Sequence, residues 1–179
     1  TCWSTTPPSR ATIPASRWPG TVQASRVGAV SVSGLSGNIG GGFSVSDAGS
    51  GLSLTGTSYV IDQGLTAPAG TTLSVGGTWS LPAGRSITAT SATLNLGDGS
   101  NAWSNAGRIT ASGSAVSVGG VPSAIGSLTI LGPGSTLNLA GRFTLAQVRQ
   151  IAYSQTAVTL SGTLDNRNAT LALTAATGS

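Results

Sequence analysis

The sequence predicts an all-β fold, a single-stranded parallel β-helix (β-solenoid) of six to seven coils at about 21 residues per coil, from about residue 29 to 179. Three observations predict it. Pairs of aliphatic residues flanking a single residue recur at Val30/Val32, Leu52/Leu54, Leu73/Val75, Leu94/Leu96, Val116/Val118, Leu137/Leu139 and Val158/Leu160. The steps between first members are 22, 21, 21, 22, 21 and 21 residues. Strict alternation with β-branched enrichment marks strand rather than helix. Between the pairs lie Gly, Pro, Ser, Asn and Asp, as in PAG at 68–70 and 82–84, GDGSN at 97–101 and GPGS at 132–135. Such residues let the backbone turn sharply.

Taken in order, residues 1–28 stand outside the pattern. They hold four of the eight Pro and three of the eight Arg. They read as an irregular linker or an extension foreign to the repeat, or else as a cap in which Trp3 or Trp18 covers the first open coil. From residue 29 each unit has three extended stretches. Seven residues before the later pairs stand Val45, Thr66, Ile87, Ile109, Ile130 and Ile151, and after the pairs come Tyr59, Trp79, Trp103, Ile125, Phe143 and Leu164. A three-strand unit of this length is too short for a propeller blade of roughly 40–45 residues. One coil cannot bury its apolar face alone, whereas stacked coils share a core. At roughly 4.8 Å per coil the stack is a rod on the order of 30 Å long. An antiparallel sandwich has similar short strands but keeps no fixed period. FTLAQVRQIAY, 143–153, breaks the monotony and reads as a short helical turn on one corner.

Composition narrows the chemistry. The chain has 179 residues, 39% of them hydrophobic, which suits one domain with a sizeable core. It has 27 Gly, 7% charged residues and no Lys, Glu, His or Met. Cys2 is alone, so no disulfide forms within the chain, and without His or Glu the usual transition-metal sites have no ligands. No cofactor and no metal is expected. The net charge of +4 comes from scattered Arg without a basic run, so no nucleic-acid partner is expected. No apolar run reaches the length of a membrane span. A Ser-His-Asp arrangement is impossible without His. GNIGGGF, 37–43, has no Lys to reach a phosphate, and GDGSN lacks the nine-residue period of a calcium repeat. The sequon Asn168-Ala169-Thr170 is read as fortuitous.

STLNLAGRFTLAQVRQIAYSQTAVTLSGTLDN, 135–166, together with ATLALTAATGS, 169–179, resembles the low-complexity repeat regions of filamentous-haemagglutinin-like adhesins and autotransporter passenger domains. The resemblance covers about 45–179 and is one of style and period. It implies a right-handed β-helix exported to the bacterial cell surface. The opening, without an initiator Met or a signal peptide, reads as a processed start or a piece of something longer.

The expected function is a structural or adhesive segment of a bacterial cell-surface or secreted repeat protein, extracellular and without catalysis, its partner a glycan or other cell-surface ligand. The alternative is a carbohydrate-active β-helix, a lyase or hydrolase, using Asp62, Asp98, Asp165 and Arg108. Glycoside hydrolysis needs two carboxylates at a suitable separation. The four aspartates, Asp47 included, occupy different columns of the repeat. A third reading is binding to a flat glycan or ice surface through a ladder of outward side chains, Thr72, Ser74, Thr93, Asn95, Thr136 and Asn138, with Ala157 and Thr159 beyond them. Arg85, Arg108 and Arg149 form a loose stripe suited to an acidic glycan. Trp79 and Trp103 are expected to pack inward, and would add sugar stacking only where exposed. The pair Leu171/Leu173 comes 13 residues after Val158, so the last coil reads as cut short and prone to end-to-end self-association that Leu173→Arg would block.

Overall fold

The computed structural model describes residues 9–12 and 21–167. The chain winds as a β-solenoid of about seven turns, and each turn crosses three faces, called A, B and C in chain order. β1 (Ser9–Thr12) lies on face B. The next coil runs from β2 (Val22–Ala24) on face A into β3 (Ala29–Asn38), which covers face B and continues onto face C. β4 (Phe43–Val45) and β5 (Gly51–Val60) repeat that plan. Three coils then give one strand to each face. They are β6 (Leu65–Ala67), β7 (Thr72–Val75) and β8 (Trp79–Leu81), then β9 (Ser86–Thr90), β10 (Thr93–Leu96) and β11 (Ala102–Asn105), then β12 (Arg108–Ser112), β13 (Ala115–Val118) and β14 (Val121–Ala124). β15 (Ser127–Leu139) spans faces A and B before β16 (Arg142–Thr144) on face C. A helical turn, α1 (Leu145–Val148), takes the following corner, where the sequence placed one. β17 (Ala152–Leu160) and β18 (Thr163–Asp165) complete the last described coil.

All the strand pairs are parallel, and face B is unbroken from β1 to β17. Its register is the repeat itself. Val30 stands opposite Leu52, Leu52 opposite Leu73, Leu73 opposite Leu94, Leu94 opposite Val116, Val116 opposite Leu137 and Leu137 opposite Val158. The side-chain period of two then sends every pair inward. From Leu52 to Leu139 these pairs are buried.

The structure corrects the reading in three places. The repeat reaches into residues 1–28, since Ser9 pairs with Val30 and Val22 with Phe43, both at the 21-residue offset. These strands were hidden because SRAT carries no aliphatic pair. On face A the strand opposite Ile87 begins at Leu65, so Thr66 points outward, and Leu128 rather than Ile130 faces Ile109. The corner before face B varies in length, so counting seven residues back drifts out of register. On face C, Tyr59, Trp79 and Trp103 do stack in line, but Pro122 faces Trp103 and Ile125 lies beyond it. Trp3, Trp18, the sequon and the Leu171/Leu173 end lie outside the described residues.

The corners hold a column of their own. Ser50, Thr71, Ala92, Ser114 and Ser135 are all buried just before face B. The Thr71 hydroxyl donates to the Pro68 carbonyl at 2.7 Å, Ser114 to Ser112 at 2.8 Å and Ser135 to Leu131 at 2.6 Å. Buried hydroxyls need such partners.

Candidate functional site

The outward side chains of face B stand in two straight columns. Thr72 lies beside Thr93 and Ser74 beside Asn95, with the Asn95 side-chain amide donating to the Ser74 hydroxyl at 3.0 Å. Thr136 and Asn138 belong to the same columns but are separated from Thr93 and Asn95 by Ala115 and Ser117 of β13. The Ser161 hydroxyl donates to Asn138 Oδ1 at 2.8 Å. A second ladder was missed. On face A, Thr66, Thr88, Thr110 and Thr129 stand one above another in four successive coils. The available signal was a Thr directly after each of Leu65, Ile87, Ile109 and Leu128.

The proposed arginine stripe is not assembled. Arg85 is held by Asp62, Nε to Oδ1 at 2.6 Å. Arg108 sits one coil on and one register position away, opposite Ser86. Arg149 closes α1 two coils beyond Arg108, past Ser127, which faces Arg108. The four aspartates each have separate partners at separate corners. Asp47 accepts from the Arg26 backbone at 2.9 Å. Asp62 accepts from the Asn38 amide at 2.9 Å and from Arg85, tying three coils together. Those two hydrogen bonds, Asn38 first, hold its carboxyl below the ordinary range. Asp98 accepts from Gly77 N at 2.8 Å and Asn101 Nδ2 at 2.6 Å, a turn role. Asp165 is gripped by Arg167, whose hydrogen bonds lower its carboxyl to about 2. Each carboxylate is thus engaged in holding its own corner, and none pairs with another across a site of the kind glycoside hydrolysis needs.

Face C differs from the other two. Its inner side is aromatic. The Trp79 and Trp103 rings stack with centroids 4.8 Å apart and planes 5° from parallel, and each is only 2% exposed. They are core residues, not stacking platforms for a sugar. The Tyr59 hydroxyl donates to the Gly76 carbonyl at 2.8 Å, and burial, then the Asp98 charge, push its phenol far above the ordinary value. Its outer side is hollowed. One open depression of about 300 Å³ is lined by Ser58, Val60, Thr78, Ser80, Ser104 and Ser123 among others. A second, of about 290 Å³, involves Val121, Pro122, Arg142, Thr144, Gln147 and Asp165.

The backbone is irregular where the two depressions adjoin. β14 carries a bulge against β11, its register shifting between Trp103 and Ser104 so that Ser104 faces Ala124. Beyond it the ladder breaks, and β16 pairs with β18 in a separate two-stranded sheet. A single backbone bond, Arg142 N to the Gly120 carbonyl at 2.9 Å, marks the β16 approach to that strand. The α1 turn forms one wall. It is fixed by a capping box between Thr144 and Gln147 and by Gln147 Nε2 donating to the Pro122 carbonyl at 2.5 Å.

Stacked parallel coils at a constant period, with a shared apolar core, define a β-solenoid repeat protein. The chain matches no family model, no curated protein and no solved structure. Among the described residues no helix is long and apolar enough to cross a membrane, which says nothing of a β-barrel.

Proposed function

We propose that the chain is a structural or adhesive segment of a bacterial cell-surface or secreted repeat protein, working outside the cell and without catalysis of its own. The observation that carries this reading is the unbroken face B. Its strands repeat one residue pattern in register, so the chain builds a uniform surface rather than one distinctive constellation. The separate tethering of the four aspartates at their corners supports the same reading. Incubation with a panel of polysaccharides and esters tests it. We expect adhesion without turnover. Turnover that disappears with Asp62→Asn, Asp98→Asn or Asp165→Asn would establish the carbohydrate-active alternative instead.

The Thr66–Thr88–Thr110–Thr129 ladder favours a second reading, binding to a flat surface such as ice, because in-register hydroxyls repeat at the coil spacing. Thermal hysteresis that Thr88→Tyr abolishes is its signature, and freezing behaviour identical to that of buffer excludes it.

A further inference from the structure

We infer that the hollow on face C is a binding groove for an extended polysaccharide bearing carboxylates, with Arg142 as the group that selects the charge. This rests on the adhesive half of the proposed function and gives it a site. The two depressions adjoin along β14, the first lined by Ser123 and the second by Val121 and Pro122. Together they run from the coil of Ser58 to that of Asp165, five coil steps, or roughly 24 Å at about 4.8 Å each. That length suits a chain ligand rather than a compact one. The lining is hydroxyl-rich along Ser58, Thr78, Ser80, Ser104 and Ser123, which offers donors and acceptors to sugar hydroxyls at every coil.

Charge decides the class of sugar. Two arginines stand near the second depression, and they differ. Arg167 is committed to Asp165 through contacts of 2.6 to 3.1 Å. Asp165 is thereby neutralised as a competitor. Arg142 is exposed and makes no ion pair among the described residues, so the depression carries one uncompensated guanidinium. A guanidinium offers a planar fork that matches a carboxylate. Arg108 on face A is also exposed, but it lines neither of these two depressions. The bulge adds an independent reason, since bulges tend to sit where a sheet is re-aimed for a site.

Equilibrium binding to carboxymethylcellulose and to hydroxyethylcellulose, which share a backbone and differ in charge, tests the inference with the whole chain. We expect the carboxylated polymer to bind at least tenfold more tightly. Arg142→Gln should remove that preference, and Ser104→Tyr, which fills the floor of the groove, should weaken both polymers tenfold or more. Arg108→Gln should change binding less than twofold, with circular dichroism confirming that every variant is folded. Equal losses from Arg108→Gln and Arg142→Gln would reduce the effect to net charge and overturn the groove. So would binding that Ser104→Tyr leaves intact, or no binding of either polymer. If other polysaccharides still adhere in that last case, the groove fails while the adhesive reading stands. If the polymer binds in the groove and is shortened, the groove stands and the reading without catalysis fails.

Discussion

At the residue scale, one corner column shows how the same position is treated differently from coil to coil. Ser135 and Ser50 are both buried before face B, yet the Ser135 hydroxyl reaches the Leu131 carbonyl while Ser50 Oγ has no partner. A buried hydrogen bond of this kind is worth about 1 kcal/mol, and an unpaired buried hydroxyl is a cost. Ser135→Ala is therefore expected to lower stability by about 1 kcal/mol, whereas Ser50→Ala should be neutral or slightly stabilising. Urea titrations of the two variants side by side measure the difference. Equal losses would mean that the column acts through shape alone. Little of this was legible in the sequence, where serine is everywhere and a buried one looks like an exposed one. The aromatic stack was legible as a column, and Trp79 and Trp103 pack inward as expected, because large aromatic rings at alternating positions favour the core side. At Gly97 the reason for glycine is visible only in three dimensions. Its φ is 72°, and a Cβ there would stand 2.6 Å from the Gly119 carbonyl oxygen.

At the scale of elements, α1 is the one departure from strand and corner among the described residues, and Gln147 fastens it both to its own cap and to the neighbouring coil. Gln147 closes the capping box through Thr144 N at 2.8 Å and reaches the Pro122 carbonyl on β14. Replacing an N-cap partner costs about 1 kcal/mol. Gln147→Ala should therefore loosen α1 and its neighbours β16 and β18 while leaving faces A and B protected. Amide hydrogen exchange reads this directly, with faster exchange expected at 142–150 and 163–165. Uniform acceleration over the whole chain would mean that the coils open as one unit. The helical turn was legible from FTLAQVRQIAY, but its function as a groove wall was not, because the contact with Pro122 crosses 25 residues. Face B was read correctly because its aliphatic pairs recur every 21 or 22 residues, whatever the corner before them does. Face A was misread where the corner lengthens, as at Gly132–Gly134, and with it the Thr66–Thr129 ladder was lost.

At the scale of the whole molecule, the sparse charge makes pH a clean probe. Asp62 and Asp165 have folded values below the unfolded ones, so their stabilising contribution is present above the ordinary carboxylate range near 4 and is lost as pH falls below it, for Asp165 through about 2. Tyr59 is the opposite case. Its folded value is raised, so its contribution is complete below about pH 10 and is lost as pH rises beyond that. The chain has no His and no Lys. Stability should be flat from about pH 5 to 8 and fall on both sides, with Tyr59→Phe lowering the whole curve by about 1 kcal/mol for the lost buried hydrogen bond and flattening the alkaline limb. Denaturation midpoints across the range test this, and a transition near pH 6 would contradict it.

Equivalent residues stand above one another coil after coil, and this stacking is directly measurable. Ser53, Ser74, Asn95, Ser117 and Asn138 occupy one column of face B. Spin labels at Ser53→Cys and Asn138→Cys, with Cys2→Ser to remove the native thiol, are separated by four coil steps. Pulsed electron resonance should give about 19 Å between the labelled backbones, rising to about 24 Å when Ser31→Cys replaces the Ser53 label. With coils stacked in register, this distance grows by one strand spacing for every coil added between the labels. A distance that does not grow with the number of intervening coils would contradict it.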